Sequence, residues 1–183
     1  MRNRPWPERI ALQDAGWCLR SNHWCARRGV LHMFAAISRL GDGLFWYALM
    51  LALPAFDGRD GVRASLHLAA TGLASLLLYT LLKRWTRRPR PFARDGRIRA
   101  WIAPLDEFGF PSGHTLHAVA FSLVALAYYP ALSWLLLPFS AGVAVSRVVL
   151  GLHYPSDVLA ATAIGCALAG CSLWLVPGAT LPV

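Results

Sequence analysis

Between two long apolar runs, the stretch Ser146-Arg147-Val148-Val149-Leu150-Gly151-Leu152-His153-Tyr154-Pro155-Ser156-Asp157 gathers a guanidinium, an imidazole and a carboxylate. His153 and Asp157 lie four apart, and Pro155 between them fits the first turn of a helix without losing a hydrogen bond. A helix starting there puts Asp157 in its first turn, within reach of the His153 ring. A carboxylate on one ring nitrogen fixes the tautomer and leaves the other nitrogen as base or nucleophile. Alone, the stretch also fits a blander reading, with Arg147 as an interfacial anchor and His153 as a loop residue.

Two further blocks carry chemistry. Lys83-Arg84-Trp85-Thr86-Arg87-Arg88-Pro89-Arg90-Pro91 is strongly basic, and Arg94, Arg97 and Arg99 follow it. Pro111-Ser112-Gly113-His114 opens an apolar helix, with Ser112 at the N-cap position. Arginines bind phosphate oxygens in bidentate fashion, and a lysine adds a point charge. A helix N-terminus offers free N–H groups to the same anion, Gly113 permits close backbone approach, and Ser112 adds a hydroxyl. His153 can attack phosphorus and His114 can protonate the leaving oxygen. No carboxylate cluster suited to Mg²⁺ accompanies these blocks, so neither metal nor cofactor is called for.

These residues must be held by membrane helices. The chain of 183 residues is 56% hydrophobic and 15% charged, against roughly a quarter charged in a soluble domain. Its net charge of +9 lies in blocks beside apolar runs. That pattern suits anionic lipid headgroups or a phosphorylated substrate, not nucleic acid. Cys18, Cys25, Cys166 and Cys171 form no CxxC pair and read as small apolar residues.

Residues 1–28 mix Arg2, Arg4, Arg9, Arg20, Arg27 and Arg28 with Trp6, Trp17 and Trp24, and they lack the apolar core of a cleavable signal. They predict an interfacial arm with an amphipathic helix, leaving 29–183 as the membrane-embedded domain. Val30 to Phe56 is apolar but interrupted, with a short helix to about Leu40, a break at Gly41 and Gly43, then a membrane helix. Asp57 to Arg63 reads as a polar loop. Ala64 to Leu82 is a span, since a bilayer core of ~30 Å needs ~20 helical residues. His67 and Thr71 within it read as hydrogen-bonded core residues.

The segment from Lys83 to Phe110 reads as a loop outside the hydrocarbon. A helix to about Tyr129, a turn at Pro130, a span over 131–145 and a last span over 158–176 complete the chain, with Pro177-Gly178 as the stop. Gly165 and Gly170 would permit close helix packing. The expected fold is all-α, an integral membrane bundle of about five to six helices. Counting spans puts Lys83–Arg90, Ser112–His114 and Arg147–Asp157 on one membrane face.

Lys83, six residues and then Arg90-Pro91; Pro111-Ser112-Gly113-His114; and Ser146-Arg147, five residues, His153, three residues, Asp157 together resemble the three-part signature of the type-2 phosphatidic acid phosphatase family. All three blocks match in order and spacing, over roughly residues 64–176. The resemblance implies a metal-independent lipid phosphatase with a phosphohistidine intermediate. In it His153 is the nucleophile, Asp157 its orienting partner and His114 the general acid, while Lys83, Arg90, Ser112, Gly113 and Arg147 hold the phosphoryl group. Implied substrates are phosphatidic acid, phosphatidylglycerol phosphate or undecaprenyl diphosphate. His117 reads as a packed helix residue, and Tyr154 and Trp85 as interface residues.

Two other readings stay open: a phosphotransferase drawing on a polyprenyl diphosphate, and a silent binder of anionic lipid. The latter would need the arginines but not the His153–Asp157 pair. The positive-inside rule would put the basic loop in the cytoplasm, whereas the resemblance to bacterial enzymes puts the site at the periplasmic face of the inner membrane. Oligomeric state is not legible.

Overall fold

The structure, a computed structural model, describes residues 8–176. The Arg2, Arg4 and Trp6 part of the arm and the Pro177-Gly178 stop lie outside the described residues. Within that range the chain forms α1 (Glu8–Asn22), α2 (Arg28–Arg39), α3 (Phe45–Thr86), α4 (Pro91–Arg94), α5 (Gly113–Tyr128), α6 (Ser133–Val149) and α7 (Pro155–Leu175). Short 3-10 turns span His23–Ala26 and Pro130–Leu132. Three helical runs, Arg28–Thr86, Pro130–Val149 and Pro155–Leu175, are long and apolar enough to cross a membrane, and α5 is a shorter apolar helix. Leu66, Leu73, Leu77, Leu81, Leu159 and Trp174 stand exposed on these helices. Such a surface suits lipid and not water. The chain is an all-α integral membrane bundle.

The break expected at Gly41 and Gly43 is a π-helical turn over Leu40–Leu44, in which Gly43 has φ 141°. Only a residue without Cβ enters that region freely. α3 is a hairpin whose helical geometry fails only at Asp57 and Gly58. The polar loop expected over Asp57 to Arg63 is thus two residues long, because Gly58 reverses the chain at φ 50° and Arg59 already begins the second limb. The limbs touch closely: a Cβ on Gly61 would stand 2.1 Å from the Leu53 carbonyl oxygen, and Ser65 Oγ donates to the Met50 oxygen at 2.8 Å. The second limb continues to Thr86, so Lys83 is helical and not a loop residue. On the membrane face far from the basic blocks, the Tyr129 hydroxyl donates to Asp57 Oδ2 at 2.7 Å, tying the hairpin turn to the α5–α6 turn.

α5 is the central helix, packed against α3, α6 and α7. Trp46, Leu68, Phe121, Val124, Leu136 and Val143 fill the space around it. Gly165 brings the α7 and α5 backbones together, its missing Cβ lying 3.0 Å from the Leu116 oxygen. Gly170, expected to do likewise, faces open space. His67 is the hydrogen-bonded core histidine expected, pairing with the Tyr128 hydroxyl at 2.9 Å and Ser172 Oγ at 3.1 Å. α1 lies on the face that carries the basic blocks, with Cys18 buried on its inner side and Cys25 buried in the turn that follows.

The two close approaches differ in what they tolerate. Gly61→Ala forces the α3 limbs apart and lowers stability by about 1–3 kcal/mol, as overpacking does. Gly170→Ala meets nothing and gains about 0.5–1 kcal/mol of helix propensity. Thermal unfolding midpoints of the two variants in one detergent will move in opposite directions.

Candidate active site

The three basic and histidine-bearing blocks meet at one end of the bundle. The loop after α6 is held by its own backbone. Leu152 N–H and His153 N–H both donate to the Arg147 carbonyl oxygen, at 3.0 and 3.1 Å. Gly151 has φ 76°, and a Cβ there would stand 2.4 Å from the Arg99 oxygen. The Asn22 side chain, from the end of α1, donates to the Arg99 and Val149 oxygens at 2.9 and 3.1 Å. This curl carries His153 to the head of α5, where it is almost fully buried.

The His153 tautomer follows from its neighbours. Nδ1 lies 2.6 Å from the Gly109 carbonyl oxygen, which can only accept, so Nδ1 carries the proton. Nε2 lies 3.3 Å from Arg90 Nη1, which can only donate, so Nε2 presents a lone pair. Burial pushes the imidazole pKa well below its ordinary value, and the charges of Arg90, Arg147 and Lys83 push the same way, against the Gly109 bond. The ring is neutral. The expected contact with Asp157 is looser: Oδ2 stands 3.9 Å from Nδ1. The Gly109 carbonyl makes the hydrogen bond instead, because Asp157 Oδ2 accepts from Tyr154 N–H at 2.9 Å within the first turn of α7.

Arg90 is clamped on several sides. Its guanidinium donates to the Leu152 oxygen at 2.9 Å, to the Asp106 oxygen at 3.0 Å and to Asp106 Oδ1 at 2.9 Å. Lys83 Nζ donates to the other Asp106 oxygen at 2.5 Å. One carboxylate thus bridges two buried cations at the cavity head, in the manner of a bound anion. Burial pushes the Asp106 pKa up, but the bonds and charges of Lys83 and Arg90 outweigh it and leave the carboxyl below its ordinary value. Arg147 is buried, donates from Nη1 to Ser38 Oγ, and has no partner for Nε among the described residues.

Ser112 and Gly113 open α5 beside His153. The Ser112 hydroxyl does not cap the helix; it pairs with Thr115 Oγ1 at 3.0 Å, while its backbone N–H donates to the Asp157 carbonyl oxygen at 3.3 Å. His114 Nε2 is hydrogen-bonded to Asp42, carried in by the π-turn between α2 and α3. Tyr154 is buried under the Arg88 guanidinium, 4.5 Å from its ring centroid, and does not sit at the interface as expected. Trp85 is exposed. His117 lines the cavity one turn below His114, with Nε2 3.1 Å from the Gly72 oxygen.

The cavity beneath these groups is about 740 Å³. Lys83, Arg90, His114 and His153 line its head, and Trp46, Met50, Leu73 and Leu76 line its body between the α3 limbs. The structure therefore brings Lys83, Arg90, Ser112, Gly113, His114, Arg147, His153 and Asp157 to one place. Sequence reasoning missed Asp14, Asp42, Arg88, Asp106 and the Gly109 carbonyl. Asp42 carried a signal, since an acid between two glycines in an apolar run is expensive unless used. Asp106 and Gly109 sit in a loop without periodicity and carried none.

The family model of the PAP2 superfamily matches residues 64–180. Undecaprenyl-diphosphatase BcrC of Bacillus subtilis is 33% identical over 114 residues, covering 62% of this chain and 58% of that protein. Phosphatidylglycerophosphatase B of Escherichia coli is 39% identical over 77 residues, covering 37% and 29%. The alignments thus span less than two thirds of these two relatives. Decaprenylphosphoryl-5-phosphoribose phosphatase of Mycolicibacterium smegmatis is 32% identical over 135 residues, covering 73% and 72%. The fold matches the crystal structure of a transmembrane PAP2 type phosphatidylglycerolphosphate phosphatase from Bacillus subtilis with a TM-score of 0.78 at 22% identity, over 92% of this chain and 87% of that one. It matches LpxE of Aquifex aeolicus with a TM-score of 0.70 at 23% identity, over 81% and 87%.

Because Asp106 occupies the cations at the cavity head, an incoming anion competes with it. Asp106→Asn removes the competing charge and leaves a neutral side chain of the same shape. Inorganic phosphate, titrated calorimetrically in detergent, should bind the variant about fivefold more tightly, the scale of a partly exposed ion pair. Weaker binding would mean that Asp106 serves to hold Lys83 and Arg90 in place.

Proposed function

We propose that this chain, which belongs to the PAP2 superfamily, is an integral-membrane hydrolase that removes phosphate from a lipid phosphate monoester or diphosphate through a phosphohistidine. The observation that carries the reading is the geometry of His153: its Nδ1–H donates to the Gly109 carbonyl oxygen, and its Nε2 lone pair faces Arg90 among buried cations. A neutral nucleophile surrounded by positive charge suits attack on an anion.

The first step forms a bond from His153 Nε2 to phosphorus and breaks the bond to the lipid oxygen, which takes a proton from His114. Lys83, Arg90 and Arg147, with the N-terminus of α5 at Ser112 and Gly113, meet the charge on the phosphoryl oxygens. Arg147 Nε, buried without a partner, is available for one of them. Asp157 faces the ring nitrogen remote from phosphorus and stabilises the positive charge that develops on the imidazole. In the second step His114 takes a proton from water, the water oxygen attacks phosphorus, the P–N bond breaks, and its electrons return to Nε2. Charge on phosphate is met by side chains and backbone alone, so the reaction needs no metal or other cofactor.

The apolar body of the cavity between the α3 limbs gives the lipid chain a way in from the bilayer. The relatives' names, which specify a polyprenyl diphosphate, a phosphatidylglycerol phosphate and a polyprenyl phosphosugar, support a lipid phosphate as the substrate class. On this reading residues 29–183 belong to the phosphatase unit, and of the arm over 1–28 the described residues 8–28 lie at the membrane surface. Similarity to bacterial enzymes favours the inner membrane, with the site toward the periplasm.

Phosphate release by the purified protein, with chelator present, across a panel of lipid phosphates and diphosphates tests the activity. Wild type should release phosphate from at least one lipid class, and His153→Ala should lower that rate at least about a thousandfold, as loss of a nucleophile does. Near-normal activity of the variant would overturn the phosphohistidine. Loss on chelation reversed by Mg²⁺ would overturn the metal-free mechanism. Phosphate passed only to an added lipid alcohol would make the protein a transferase.

Sidedness has its own test. Arg97, in the site-face loop, has an exposed side chain. In a cysteine-free background, Arg97→Cys should react with a membrane-impermeant maleimide in cells whose outer membrane alone is opened. Labelling only after the inner membrane is lysed would turn the site toward the cytoplasm.

A further inference from the structure

Behind His153, on the side away from the cavity, lies a buried network that reaches α1. Arg88 Nη1 donates to Asp157 Oδ1 at 2.5 Å and to Ser156 Oγ at 2.7 Å, and Arg88 Nη2 donates to Asp14 Oδ2 at 2.7 Å. Asp14 also accepts the Ser156 backbone N–H at 3.0 Å and the Ser156 hydroxyl. The side chains of Asp14, Arg88 and Asp157 are 6%, 3% and 0% exposed, so the three charged groups of this network are shielded from solvent. Asp14 lies outside the residues matched by the family model.

We propose that Asp14 is a positioning residue of the reaction: through Arg88 and Ser156 it fixes Asp157 behind the nucleophile, and it supplies the negative charge that Arg88 would otherwise cancel. The inference rests on the reading of His153 as nucleophile. Two features carry it. The first is geometric. Asp157 Oδ1 is taken by Arg88 and Oδ2 by Tyr154 N–H, so the carboxylate has one orientation, with Oδ2 toward the His153 ring. Arg88 in turn is held by Asp14, and so is the first turn of α7 at Ser156.

The second is electrostatic. Arg88 and Asp157 by themselves sum to zero charge. With both carboxylates ionised, Asp14 brings the buried group to minus one. Attack by Nε2 places a positive charge on the imidazole, in surroundings already made positive by Arg90, Arg147 and Lys83. A net negative group behind the ring favours that state over the neutral one, and in a buried setting such a charge is weakly screened.

A structural role alone, fastening α1 to the bundle, makes a different prediction. Asp14→Asn keeps the size and an acceptor for Ser156 N–H but removes the charge. On the lipid that wild type hydrolyses fastest in the panel above, kcat should fall about tenfold, the scale of a lost supporting carboxylate, with KM within about twofold. Rapid-quench measurement of phosphohistidine formation should fall by the same factor per folded site, counted by titration of active sites. Asp14→Glu should recover part of the rate. Wild-type phosphohistidine formation per site in Asp14→Asn, with the loss confined to the folded fraction or to the unfolding midpoint, would overturn the proposal. His153→Ala runs beside it: phosphoenzyme persisting there overturns the reading of the site, whereas its absence there with a wild-type rate in Asp14→Asn overturns only the positioning role.

Discussion

Three of the four cationic side chains buried at one end of an apolar bundle, Lys83, Arg90 and Arg147, surround His153, and the rest of the structure answers to that fact. An unpaired charge taken from water costs several kcal/mol even after the protein relaxes. The surrounding loops are organised to meet this cost. The Asp106 carboxylate and carbonyl, the Leu152 carbonyl and Ser38 all turn inward to these three side chains. In the long segment between α3 and α5 it is Asp106 that meets Lys83 and Arg90, and a bridge between Pro89 and Phe108 joins the two ends of that segment.

The same cations set the state of the histidine. A solvated imidazole would be partly protonated near neutrality. In His153 burial first, and then three positive neighbours, oppose protonation. On the proposed mechanism the groups that would hold a phosphate also oppose protonation of His153, and an anionic substrate would relieve the positive charge around the ring before the first chemical step.

Much of this was legible in sequence. The spacing of apolar runs was enough for the bundle, and span counting alone brought the three blocks to one face, since each block borders a helix whose direction is known. The Gly41–Gly43 break was legible because two glycines interrupt an otherwise apolar helix. The α3 turn was misjudged because Asp57 to Arg63 carries four charged residues and two glycines, yet Gly58 makes the reversal in two residues and the remaining charged side chains ride on the second limb. The Gly109 contact was not legible. A backbone carbonyl has no side-chain signature, and Asp157 at four-residue spacing offered a more obvious partner. Arg88 was hidden in the basic run, where nothing in the composition separates an arginine facing the cavity from one facing away.

The carboxylates around the site fall into two kinds, and their burial distinguishes them. Asp157 and Asp14 lie behind the nucleophile, sealed from water and bonded through Arg88. Asp106 lies in front of it, with 40% of its side chain exposed. A buried acid cannot leave without abandoning a buried arginine, so the rear pair is permanent framework. A rim acid can swing into water and be hydrated, so its place between Lys83 and Arg90 can pass to a phosphate without either cation losing a partner. On the proposed function the front carboxylate compensates the cations and can be exchanged, while the rear carboxylates fix Arg88 and the first turn of α7 behind His153.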